Sequence, residues 1–341
     1  MHPAQPRPLP RRALLIVGTL LLAAVASLLV AGMTGSIAIA PGELPAALVQ
    51  VLQGRTDSMA ATLLELRAGR ALTAFVTGGA LALAGVMMQA LLRNPLADPY
   101  ILGISAGASV GALLALLLMC AAATVDAAAL AGAVGVAMLL YLFARRDMRS
   151  GAAIEGGTSM LLLTGVILSS SCMALVTLML SIAPEGRLRS MVFWMIGDLA
   201  GAPVRALPWI VLGGALLYAL RSARAMNVVA LHADNAGTLG IRVGALRKGL
   251  FFVSGLLTAS AVTSAGSIGF IGLIIPHACR FAFGPDHRVL IPAAVLGGGS
   301  FLVLCDTLAR TVVAPTQLPV GAITALIGAP VFLYQLHQLR K

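Results

Sequence analysis

The side chains able to do chemistry are few, and their spacing decides what they can do. The five histidines are His2, His232, His277, His287 and His337, and the four cysteines are Cys120, Cys172, Cys279 and Cys305. Zinc sites place such ligands at short fixed intervals, and neither an H-E-x-x-H pattern nor another pairing suited to a metal occurs. Each cysteine stands alone inside an apolar run, without a disulfide framework, and reads as a small core residue. The two lysines, Lys248 and Lys341, follow no Gly-x-x-x-x-Gly pattern, so no P-loop is present and the chain is not expected to hydrolyse ATP. A proton-driven carrier needs ionisable groups in mid-membrane. Here Asp98, Asp126, Glu155, Asp198 and Asp306 fall at the ends of apolar runs instead. No nucleophile and base are paired as an intramembrane enzyme would require. The residues thus point to no catalytic group, no metal and no cofactor on this chain, and to a driving force supplied by a partner.

The elements that would position these residues are apolar helices. With 59% hydrophobic and 10% charged residues and a mean hydropathy of +0.98, the 341 residues carry more apolar surface than a soluble core can use. The expected class is an all-α polytopic membrane protein, residues 1–341 forming one integral membrane domain. The net charge of +11 comes almost wholly from arginines that punctuate apolar runs, which reads as a topology signal rather than a nucleic-acid surface. Arg11 and Arg12 precede the apolar run Ala13 to Val30, which is long enough to span and lacks a small-residue cleavage site, so it reads as a retained first span.

Uncharged runs fall at 13–33, 71–92, 99–118, 127–144, 157–182, 206–220, 249–279, 289–305 and 318–338. As one helix, 249–279 would measure about 46 Å, far beyond the hydrocarbon layer, so a break is expected in the stretch Thr263 to Gly269. That makes ten spans. With ten and an inside N-terminus, most basic residues lie on the cytoplasmic side, whereas nine would divide them almost evenly. Both termini are then cytoplasmic, residues 183–205 form a loop outside, and residues 221–248 form the longest loop inside.

Three segments have patterns of their own. Residues 85–111 run from an apolar helix through the polar knot Arg93-Asn94-Pro95-Leu96-Ala97-Asp98-Pro99 into a second apolar helix. The prolines force a turn there. Gly103, Gly107 and Gly111, four residues apart, would make one bare helix face for a neighbouring backbone. Residues 190–199, SMVFWMIGDL, read as a short helix lying on or dipping into the membrane. Asn227 to Gly240 places Val228, Leu231, Asn235 and Leu239 about one helical turn apart, either as plain loop structure or as a short amphipathic docking helix. Met87, Met88, Met191, Phe193 and Trp194 could line a path for a bulky ligand or simply pack the spans.

The knot stretch, Gly266 to His277 (GSIGFIGLIIPH), Asp286-His287-Arg288 with Leu290 to Pro292, and Leu318 to Pro330 (LPVGAITALIGAP) together resemble the FecCD-type permeases. These are membrane subunits of ATP-driven (ABC) importers for ferric siderophores, haem and cobalamin. The likeness runs from about residue 60 to the C-terminus. It implies a type II importer fold with ten transmembrane helices, a homodimer in a bacterial inner membrane, two copies of a cytoplasmic ATPase that binds ATP and Mg2+, and a periplasmic binding protein. The family's outer arginines, which pair with acids on the binding protein, fall on Arg67, Arg70 and Arg310. The family's Arg-Leu-Pro-Arg reads Arg67-Ala68-Gly69-Arg70 here. Its coupling segment to the ATPase falls on Leu231, His232, Asp234, Asn235, Ala236, Leu239 and Gly240, with His232 in place of a glycine and the acid displaced to Asp234. Its cytoplasmic gate falls on Asn94, Leu96, Thr158 and Ser159. The motifs do not separate siderophore, haem and cobalamin carriers. A stand-alone secondary carrier or channel is the rival reading.

A cysteine placed at Leu239 should be modified by an impermeant thiol reagent only from the cytoplasmic side; modification from outside would reverse the topology.

Overall fold

A computed structural model describes residues 11–145, 154–202, 204–231 and 236–338. Its elements are α1 (Arg11–Met33), α2 (Leu44–Leu52), α3 (Met59–Leu92), a 3-10 turn (Pro99–Leu102), α4 (Ile104–Leu117), α5 (Ala122–Ala144), α6 (Ile154–Ser181), α7 (Glu185–Ile196), α8 (Ala206–Leu231), α9 (Val243–Ala265), α10 (Ile271–Phe283), α11 (His287–Thr311) and α12 (Val320–Gln338). Among the described residues there is no strand. Among the same residues seven helices are long and apolar enough to cross a membrane, namely α1, α3, α5, α6, α8, α9 and α11, while the apolar α4, α10 and α12 are shorter.

The long run at 249–279 is broken where its length demanded: α9 stops at Ala265, Gly266 turns with φ +70°, and α10 begins at Ile271. Elsewhere helices outrun the uncharged stretches that located them. The 34-residue α3 starts at Met59, where the Ser58 hydroxyl caps it by accepting from the Ala61 N–H. Twelve residues, with Glu65, Arg67 and Arg70 among them, precede the uncharged part. The expected inside loop at 221–248 is likewise mostly helix, since α8 continues to Leu231 and α9 opens at Val243. Arginine is a good helix former and Arg221 to Leu231 contains neither glycine nor proline, so charge ends the apolar run without ending the helix. No separate helix spans 227–240. Its first residues close α8, residues 236–240 form a turn, and residues 232–235 lie outside the described residues. Short helix α2 had no counterpart in the apolar runs, whereas α7 covers most of the segment expected outside the spans.

Helix α3 is the centre of the bundle, almost wholly buried from Thr73 to Leu92 and packed on α1, α8, α9, α10 and α11. Its glycines set the distances. A Cβ on Gly78 would collide with the Gly298 carbonyl of α11, and one on Gly85 with the Gly272 carbonyl of α10. Gly107 and Gly111 of α4 press in the same way on Gly132 and Ala128 of α5. Gly103, placed with them by spacing, is not on the helix. It is the left-handed joint (φ +79°) between the 3-10 turn and α4, and it faces Ser169 of α6. The turn begun by Pro99 must reverse its twist before α4 can start, and glycine does so without strain.

Gly78→Val and Gly298→Val should each prevent accumulation of folded protein or cost roughly 1–3 kcal/mol or more by overpacking. Gly135→Val on α5, where a Cβ meets open space, should leave the detergent melting temperature nearly unchanged.

Candidate functional site

At one end of the bundle the starts of α3 and α12 meet the ends of α1 and α11. Arg70 lays its guanidinium along the Asp306 carboxylate, with Nε 2.9 and 3.0 Å from the two oxygens and Nη2 2.8 Å from Oδ1. Its Nη1 donates to Gln317 Oε1 at 2.7 Å. Arg310, one turn beyond Asp306 on α11, brings Nε to 3.1 Å from Oδ2 and donates from Nη2 to the Ala31 carbonyl and the Thr307 hydroxyl. Arg67 donates to the carbonyls of Met33 and Ile37, just beyond α1. The three arginines forecast by resemblance are therefore brought together, but not as free surface charges: Arg67 and Arg310 are buried, and Asp306 is 1% exposed. Asp306 had been read only as an acid closing an apolar run. The signal for its role was the i,i+4 spacing to Arg310.

Above this cluster lies a cavity of about 560 Å³ whose walls include Arg67, Arg70, Arg310, Gln317, Gly201 and Ala202 and no acid. Two guanidiniums share the Asp306 carboxylate and the third, on Arg67, meets only carbonyls, so the cluster carries more positive than negative charge in a largely desolvated place. Such an excess is costly unless further anions complete it.

The knot after α3 is a self-bonded turn. Arg93 ends the helix at φ +49°, the Asn94 side chain accepts from the Leu96 N–H at 2.9 Å, and Asp98 accepts from the Tyr100 N–H at 2.7 Å. Asn94 is half-buried and Leu96 is exposed. Behind the knot, the Tyr100 hydroxyl accepts from the Ile268 N–H at 2.9 Å, and Ser105 and Ser267 share a hydrogen bond of 2.8 Å. The knot is thus tied to the break between α9 and α10, where Gly272 also meets the Pro99 ring. Thr158 and Ser159 fall in the first turns of α6, and their side chains lie outside the described residues.

At the opposite end, α8 finishes with Leu231, 76% exposed, and the turn that follows carries Leu239, 62% exposed, before Gly240 at φ +79°. Ala236 is buried under this turn and its carbonyl accepts from the Ile241 N–H. His232, Asp234 and Asn235 lie outside the described residues. One turn before Leu231, Asn227 reaches the corner between α10 and α11. Its Nδ2 donates to Asp286 Oδ1 at 2.7 Å, while its Oδ1 accepts from the His287 N–H at 2.9 Å and faces His287 Nδ1 at 2.7 Å. Asp286 caps α11 and binds the Arg288 guanidinium, which foremost holds its carboxyl down at about 2, so it stays ionised throughout the physiological range.

Of the residues that could have lined a path, Met87, Met88 and Met191 are fully buried in helix packing. Phe193, under the Arg189 guanidinium at 5.4 Å, and Trp194 border an open cleft of about 530 Å³ with Asp198 and Gly266.

Broken, glycine-packed apolar helices with a basic cavity at one end and exposed leucines at the other make a polytopic membrane protein. The chain belongs to the FecCD transport family, which it matches over residues 19–338. It is 42% identical over 277 residues to the cobalamin import system permease protein BtuC of Halobacterium salinarum, covering 80% of this chain and 72% of that one. To the vitamin B12 import system permease protein BtuC of Escherichia coli it is 39% identical over 282 residues, covering 81% and 84%. A solved metal-chelate type ABC transporter in an inward-facing conformation superposes with a TM-score of 0.79 at 31% identity, over 95% of this chain and 99% of that one. PsaBC from Streptococcus pneumoniae shares the fold alone, with a TM-score of 0.55 at 19% identity over 84% and 95% of the two chains.

Asp306→Ala leaves buried guanidiniums uncompensated and should lower stability by roughly 3–5 kcal/mol. Arg55→Ala, which removes the exposed pair Arg55–Asp57, should change it by only about 0–1 kcal/mol. Thermal unfolding in detergent measures both.

Proposed function

We propose that this chain is the membrane-spanning permease subunit of an ATP-driven importer and that its cargo is cobalamin, the compound named for relatives at 39–42% identity. The observation that carries the mechanism is the basic cavity over Arg67, Arg70 and Arg310. Its uncompensated charge suits carboxylates presented by a binding protein, which electrostatic attraction would steer to Arg67, Arg70 and Arg310. At the other end, Leu231 and Leu239 offer apolar side chains to a partner, as a docking surface for an ATPase would. Together with His232, Asp234, Asn235, Ala236 and Gly240 they form the coupling segment. ATP and Mg2+ are held by that ATPase and not by this chain.

In this reading the three shorter helices also cross the bilayer. Helix α10, about 20 Å long, completes its passage with the non-helical residues 266–270, and α4 does so with the 3-10 turn. Irregular backbone of this kind is tolerated in a membrane where protein surrounds it. Ten spans then place both termini in the cytoplasm of a bacterial inner membrane. Two copies of this single domain pair around the pathway, above two ATPase copies. Asn94 and Leu96, on a turn that can shift as a unit, gate the cytoplasmic mouth with Thr158 and Ser159.

The test is reconstitution with the ATPase and binding protein encoded beside this chain. Uptake of vitamin B12 should need both partners and ATP, and Leu239→Ser, His232→Ala or Asp234→Ala should abolish it without reducing the amount of folded protein. Uptake of a ferric siderophore or haem in its place would overturn the cargo and keep the mechanism. Solute uptake by the chain alone along an ion gradient would overturn the mechanism in favour of a secondary carrier.

A further inference from the structure

We propose that Asn227 is the positioning residue that passes movement of the turn at 236–240 to α11, an assignment that rests on the importer reading above. Asn227 sits in the last helical turn of α8, directly before the segment that would meet the ATPase. Its carboxamide donates to Asp286 and accepts from His287, two consecutive residues, so the amide plane is fixed against both translation and rotation. Neither partner is free to yield. Asp286 is held by the Arg288 backbone and guanidinium, and His287 is 5% exposed. Because Asp286 is the cap of α11, a displacement of the end of α8 acts on the first turn of α11 as a whole.

Helix α11 can carry that displacement. It runs for 25 residues, with Pro292 withholding one backbone donor near its start, and Asp306 stands about 30 Å along it from Asp286. Midway, the Gly298 backbone lies against Gly78 of α3 with no side chain between them, so the helix is braced there by direct backbone contact. At its far end Asp306 holds both Arg70 and Arg310. One helix therefore joins the contact with α8 to the basic cavity, and Asn227 is where α8 grips it.

The experiment compares variants in the full complex of this chain with its ATPase and binding protein, in lipid nanodiscs. It reads three things: ATPase co-purified per chain, the melting temperature, and the fold-stimulation of ATP hydrolysis by the binding protein. Asn227→Ala should retain the ATPase and the melting temperature but lose about tenfold in stimulation, the scale of one hydrogen bond to a charged group. Asn227→Asp opposes a carboxylate to Asp286 and should be impaired as well. Exchange of the pair, Asn227→Asp with Asp286→Asn, restores donor to acceptor and keeps a competent helix cap, so stimulation should return. Wild-type stimulation in Asn227→Ala, or no recovery in the exchanged pair, overturns the assignment alone. Should Asn227→Ala fail to accumulate, the contrast between Asn227→Asp and the exchanged pair decides by the same criterion. A wild-type complex that binds no ATPase or shows no stimulation overturns the importer reading and the assignment together.

Discussion

Backbone pressed against backbone along α3 is the constraint from which the other features follow. In lipid, apolar side chains gain little by leaving one apolar surface for another, so helices hold together by closeness of fit and by the few polar bonds between them. Gly78 and Gly85 remove the side chains that would hold α11 and α10 away, and the second half of α3 is then covered on nearly all sides. That closeness determines what can face what. It sets the start of α3 beside the end of α11, within reach of an Arg70–Asp306 pair, and its end beside α10, where Gln89 donates to the Gly272 carbonyl. The electrostatics at one end and the broken helix in the interior both depend on contacts that contain no side chain at all.

The legible parts of this architecture were those governed by length and by backbone restriction. An uncharged run too long for a bilayer announced its own break, and two prolines announced the turn after α3. What the residues concealed was anything set by a partner distant in the chain. Asp306 lies 236 positions from Arg70, and no local pattern connects them. Asn227 looked like one polar residue in a loop, because the ruler used for spans stopped at the first arginine while the helix continued. Gly103 misled for a related reason: regular spacing implied one helix face, but a turn inherited from Pro99 intervened. Both errors come from treating apolarity as the boundary of helical structure, when charge and helix propensity are independent properties.

The two ends of the molecule differ in what they leave exposed. At the arginine end the charged groups are mostly buried and already engaged, with positive charge in excess of the one carboxylate. At the other end Leu231, closing α8, and Leu239, on the turn, are exposed, and polar contacts lie behind them, from Asn227 to the cap of α11. The first arrangement acts over distance and is weakened by salt. The second requires contact.

Arg67 and Arg310 also stitch the end of α1 onto the bundle, through the carbonyls of Ala31, Met33 and Ile37. The same guanidiniums that gather charge at this end therefore also fasten the first helix, so that replacing either one would loosen α1 as well as change the local charge.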